Sequence, residues 1–129
     1  MVKGVLVERV ERAGRKLVEL LDAEGWETKA ALWLYRPEKD RWVLMLASPE
    51  VERSGPRPGY EKVHAVLRSH QDDLSPLTLE DIVVTGCNDP LVRELRTAVQ
   101  TGPGITEIRF TENRAGNTFI EDALIYRMQ

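Results

Sequence analysis

Asp122 is the ionisable residue most at odds with its surroundings. The C-terminal segment Ile120-Glu121-Asp122-Ala123-Leu124-Ile125-Tyr126 has the composition of a strand. Pairing Thr111 with Phe119 in a hairpin places Ile108, Phe110, Ile120, Asp122, Leu124 and Tyr126 on one face. A carboxylate among apolar side chains must find donors or have its pKa raised, because burying it ionised is costly. The chemistry this suggests is an acid/base or metal-binding carboxylate, with Tyr126, His64 or the loop arginines Arg53 and Arg57 as partners. The structural alternative is an aspartate bonded to backbone amides or to an arginine, or a shift of one residue that turns Glu121 inward instead. The opposite face of the same hairpin, Glu107, Arg109, Glu121, Ala123 and Arg127, reads as solvated, with Arg109 and Glu121 as a cross-strand pair.

The remaining reactive residue types are sparse. His64 and His70 are six apart on one expected helix, about 120° around its axis, so they cannot share a metal as an i, i+4 pair would. His64 is a weak catalytic candidate beside Asp122, and a capping or core role is the alternative for both histidines. Cys87 stands two residues before the helix start Asp89-Pro90, where a helix N-terminus could lower its thiol pKa. No histidine spacing ties to it, so an inert thiol is favoured. Residues 86–89 could offer amides to an anion, although Asp89 would repel it. Arg53 and Arg57, with Ser54 and Gly55 between them, are the candidate ligand-binding residues, able to clamp a phosphate or carboxylate. Glu27-x-Lys29 has the residue types of a metal-dependent nuclease strand but lacks the upstream acidic strand residue. No phosphate loop, dinucleotide fingerprint, nucleophile elbow, zinc-protease motif or cysteine-rich zinc pattern is present, so no metal or cofactor is expected.

Aromatic residues supply a different signal. Segments 28–36 and 41–48 alternate with period two around the polar turn Pro37-Glu38-Lys39-Asp40 and predict a β-hairpin. With Arg36 opposite Arg41, one face carries Ala31, Trp33, Tyr35, Trp42, Leu44 and Leu46, and the other Ala30, Leu32, Leu34, Val43, Met45 and Ala47. A sheet covered on one side only would alternate apolar with polar. Both faces here need cover, from helices, a partner subunit or a ligand. Trp33, Tyr35 and Trp42 are the candidate interface residues, with core packing as the competing assignment.

These groups must be positioned by the flanking elements. Leu6, Val10, Ala13, Leu17 and Leu20 predict a helix over 5–24, closed by Gly25, with Asp22 and Glu24 opposing its dipole. Residues 49–59, with three prolines and two glycines, predict one long loop. Helical spacing resumes from Tyr60 to Asp72, a turn follows at Ser75-Pro76, and 81–85 predict a short strand. Leu91, Leu95, Ala98 and Val99 predict a third helix ending at Gly102-Pro103-Gly104, before strands 105–111 and 118–127 around a turn at 113–117. The expected class is α+β: a mainly antiparallel five-stranded sheet in the order α-β-β-α-β-α-β-β, with three helices.

Length and charge bound the function. A chain of 129 residues suits a single α+β domain over 1–129. With 18 Lys+Arg against 21 Asp+Glu the net charge is -3, which argues against a nucleic-acid-coating protein. Charge interleaves with apolar residues from Lys3 to Lys16, so neither a signal peptide nor a membrane span is expected. A single cysteine fits a reducing cytoplasm. The expectation is a small cytoplasmic interaction or binding module that forms a homodimer through its aromatic hairpin, or engages another protein, without catalysis. The alternative is a small hydrolase or nuclease-like enzyme centred on Asp122.

Overall fold

The central hairpin adopts the register its spacing predicts. In the computed structural model, which describes residues 5–129, β1 (Ala30–Arg36) pairs antiparallel with β2 (Arg41–Ala47), Arg36 facing Arg41, Tyr35 facing Trp42 and Trp33 facing Leu44. Lys3, where the N-terminal charge alternation begins, lies outside the described residues. The turn places Asp40 at φ 47°, a conformation aspartate tolerates better than most residues. Both apolar faces are covered by elements of the same chain.

One face lies beneath α1 (Glu8–Ala23). Ala13, Gly14, Leu17, Val18 and Leu21 are its buried residues, so the burial is centred one position from the predicted stripe, leaving Val10 and Leu20 partly buried. The helix ends in two backbone bonds, Gly25 N–H to Asp22 O and Trp26 N–H to Leu21 O, with Gly25 at φ 78°. This left-handed closure satisfies carbonyls that would otherwise be orphaned. The same core takes in Ala31, Trp33, Leu44, Leu46, Leu124 and Tyr126 from the sheet, and Val63, Val66 and Leu74 from the helices after β2.

Those helices correct the expected count of three. The stretch 49–59 is helical for most of its length: α2 (Pro49–Ser54) is capped by the Ser48 hydroxyl, which accepts from Glu50 N–H at 3.1 Å, and α3 (Arg57–Ser69) begins at residue 57. Pro49 and Pro58 sit in first turns, where their missing N–H costs nothing. A short α4 (Gln71–Leu74), the cis Ser75-Pro76 bond and a 3₁₀ turn at Leu79–Asp81 lead into β3 (Ile82–Thr85). With α5 (Pro90–Ala98), the described residues hold five α-helices.

The sheet is mixed rather than mainly antiparallel, in the order β3-β2-β1-β5-β4, where β4 is Ile108–Ala115 and β5 is Thr118–Met128. The helical connection after β2 crosses over the sheet and returns β3 parallel to it, Leu44 beside Ile82. A tight hairpin could not have done so. On the second face, Val92 and Leu95 of α5 pack with Leu32, Leu34, Met45, Ala123, Ile125 and Met128. Asp89 caps α5, accepting from the N–H groups of Leu91 at 2.9 Å and Val92 at 3.3 Å.

The β4–β5 pair departs from the expected register by three residues. Thr111 faces Asp122, not Phe119, and the turn is the pair Gly116-Asn117. The pairing omits Glu112, at φ 44°, and Glu121 opposite it. Beyond that point Ala115 and Ile120 join the α5 core. A second irregularity lies where β5 meets β1: Ala31 faces Arg127 while Leu32 faces Ile125, so Tyr126 is an extra residue on its strand. Such a bulge reverses the alternation. Tyr126 and Arg127 then both serve the α1 side, and Arg127, expected on a solvated face, is 5% exposed and bonded to Asp22. No helix among the described residues is long and apolar enough to cross a membrane.

Candidate functional site

The register of β4 and β5 sets Arg109 diagonally across from Asp122 on one face. Arg109 donates from Nε to Asp122 Oδ1 and from Nη2 to Oδ2, both at 2.7 Å. Asp122 is 3% exposed, whereas the Arg109 side chain keeps 47% of its surface. The two parallel bonds give a buried carboxylate the donors it requires. The hydrogen bonds it donates to Asp122 raise the Arg109 pKa further above its ordinary value. The expected Arg109–Glu121 pair is therefore replaced by Arg109–Asp122. The same guanidinium lies over the Trp42 ring, its Cζ 5.7 Å from the centroid, within cation–π range. Trp42 in turn meets Tyr35 at a centroid separation of 5.6 Å and a tilt of 60°.

Tyr35 donates its hydroxyl to Asp40 in the hairpin turn. That bond foremost, then burial and the charges of Asp40 and Glu121, push its pKa up to about 12. Asp122, Arg109, Trp42, Tyr35 and Asp40 thus form one connected cluster at the turn end of the central hairpin. Trp42 is half-buried there and Tyr35 is 6% exposed. Trp33 is only 2% exposed and lies in the α1 core, its indole N–H donating to the Tyr126 hydroxyl at 3.1 Å. The Tyr126 hydroxyl donates to the Glu11 carbonyl, and burial foremost raises its pKa. Tyr126 is committed to α1 and Trp33.

The other candidates are dispersed. Arg53 pairs with Glu50 and, at 3.9 Å, with Glu27. Arg57 opens α3 as an exposed residue without an ion pair among the described residues. Glu27 and Lys29 pair with each other at 3.3 Å and precede β1, so they do not form a nuclease-type strand. The Glu52 carboxylate accepts from the N–H groups of Cys87 at 3.1 Å and Asn88 at 3.3 Å. An internal anion thereby occupies the amide cradle of residues 86–89. Burial and then Glu52 push the Cys87 thiol up, opposite to the activation its position before α5 suggests. Among the described residues, no group of three or more His, Cys, Asp or Glu side chains could hold a metal ion.

His64 is exposed on α3, and His70 ends that helix. His64 lines a cleft of about 360 Å³ between α3, α4 and the following turn, whose lining includes neither Asp122 nor Cys87. Sequence reasoning missed Arg109 as the partner of Asp122 because its identity depends on the strand register. It missed Glu52 because a segment read as loop proved helical. No protein-family model, curated protein or solved structure matches the chain.

Proposed function

We propose that this chain is a small cytosolic interaction module without catalysis, which self-associates through the turn end of its central hairpin. The observation that carries this reading is the half-buried Trp42 held between Tyr35 and Arg109, with Arg109 pinned by both oxygens of Asp122. Tryptophan, tyrosine and arginine dominate the energetic centres of protein interfaces. Side chains already fixed lose less conformational entropy on association. Trp33 contributes by supporting this end from within the core, so Trp33→Ala reports on folding rather than on contact.

The expected result is a dimer whose dissociation constant rises about thirtyfold in Trp42→Ala, the weight of an ordinary interface hot spot. Sedimentation across a concentration series reads this, with circular dichroism confirming the retained fold. A wild-type protein that stays monomeric at high micromolar concentration removes the self-association proposal.

A hydrolytic centre at Asp122 is the competing proposal, and it requires the carboxylate to leave Arg109. Asp122→Asn keeps the shape and removes the charge. It is expected to cost about 1–3 kcal/mol of stability through the weakened pair with Arg109. Cleavage of bis-p-nitrophenyl phosphate or p-nitrophenyl acetate by the wild type, lost in Asp122→Asn, would establish the enzyme in place of the non-catalytic module.

A further inference from the structure

The cleft beside His64 has the make-up of a ligand site separate from the hairpin end. Its apolar wall is formed by Pro76 and the half-buried Leu79, backed by the buried Leu67 of α3, Leu74 of α4 and Leu77 of the following turn. The three buried leucines also belong to the core beneath α1, so the wall is an outward extension of packed structure. The segment after Pro76 is held in place: Leu77 N–H bonds to Leu74 O at 2.8 Å, and Thr78 N–H to the Asp81 carboxylate at 2.9 Å. At about 360 Å³ the cleft falls at the small end of ligand pockets, which run from about 300 to 1,000 Å³.

Its charge has one sign. Arg68 and His64, one helical turn apart on α3, stand at the rim, and no carboxylate residue lines the cleft. Neither side chain has a hydrogen bond or ion pair among the described residues, whereas Arg53, Arg109 and Arg127 are each held by carboxylates. The neighbouring Asp72 and Asp73 line two adjoining clefts, one with Arg9, Arg12 and Lys16 and one with Arg68 itself, and neither forms an ion pair with Arg68. A guanidinium and an imidazole N–H above an apolar wall complement a ligand with an anionic head and an apolar body.

We propose that this cleft binds a small amphipathic carboxylate, with Arg68 and His64 holding the head and Pro76, Leu79 and the outer edges of Leu67 and Leu77 receiving the body. The probe is octanoate, compared with octanol and octylamine, which keep the tail and change the head. Binding is followed by amide chemical shifts in the full chain. A ligand of about ten heavy atoms at ordinary efficiency binds in the millimolar range. Octanoate should shift the amides of residues 64–79 and bind about fivefold tighter than octanol, with octylamine weakest, as expected of a partly exposed charge-assisted contact.

Arg68→Gln and His64→Gln are exposed changes outside the core, and Arg68→Gln should erase the preference for octanoate over octanol while leaving octanol binding unchanged. Equal binding of octanoate and octanol overturns the proposal. So do shifts located away from residues 64–79, an unaltered preference in Arg68→Gln, or no shifts at all at millimolar probe.

Discussion

Gly14→Ala is expected to destabilise the protein by about 2–4 kcal/mol, although alanine is the better helix former by about 1 kcal/mol. An added Cβ would lie 2.5 Å from Trp33 Nε1 and 2.9 Å from Tyr126 Oη. Both atoms belong to the buried bond between the two side chains, and Tyr126 continues it to the Glu11 carbonyl on the same helix. Neither ring can retreat, because Trp33 and Tyr126 are fully enclosed between α1 and the sheet. The methyl must push α1 outward or break the indole-to-phenol bond, which leaves buried polar atoms unpaired at a cost of about 1–3 kcal/mol. Urea unfolding measures the loss. Gly102→Ala, where an added Cβ meets nothing within 4 Å, is the matched control and should change stability little. The cause is identified by a cycle with Trp33→Phe, which deletes Nε1: adding Gly14→Ala in that background should cost clearly less than in the wild type. A cost below about 0.5 kcal/mol in the wild type would show that α1 does not approach the sheet this closely.

The second large effect is expected at Arg127. Its side chain is 6% exposed and donates to both oxygens of Asp22, at 3.1 and 2.8 Å, and to the Thr28 carbonyl at 2.9 Å. A longer bond, 3.4 Å, reaches the Gly104 carbonyl. One guanidinium thereby ties the end of α1, the entry to β1 and the loop before β4 to β5. Arg127→Met keeps much of the apolar stem and removes every donor. Removing one partner of a buried pair costs about 3–5 kcal/mol, but Asp22 keeps 39% of its surface and can recover water, so about 2–3 kcal/mol is expected. Asp22→Asn should cost less, since the bonds to the two carbonyls survive it. Thermal and urea unfolding of both variants test that order, and an Asp22→Asn loss as large as that of Arg127→Met would contradict the account. The Asp22 charge at the end of α1 opposes the helix dipole, and Arg127 is the cation that compensates it.

How much of this was legible depended on what sets each register. The first hairpin could be read residue by residue because Pro37-Glu38-Lys39-Asp40 leaves one way to pair Arg36 with Arg41. The two apolar faces followed directly, although pattern alone could not say that α1 and α5 supply the cover. The second hairpin failed at its turn. The stretch 113–117 is polar throughout and looks like a loop, yet Gly116-Asn117 is itself a two-residue hairpin signal. That choice moved every pair by three positions and hid the Arg109–Asp122 bond. The inward turn of Arg127 was beyond reach, because a bulge at Tyr126 leaves no mark in the alternation of residue types. The prolines of 49–59 misled in the opposite sense, since Pro49 and Pro58 begin helices. Asp122 stood out for a sound reason, the cost of burying charge, and its partner satisfies that cost without any reaction being required.

The pairing of β1 with β5 also bears on how the chain reaches its native state. Trp33 and Tyr126, bonded across that seam, are separated by 93 positions in sequence. The first hairpin can close within microseconds, but its inner strand keeps a bare hydrogen-bonding edge and two greasy flanks until the distant segment arrives. During that interval the ribbon resembles the unprotected edges that recruit other chains into aggregates. Speed of late docking, as much as final stability, therefore governs how much protein survives refolding at high concentration.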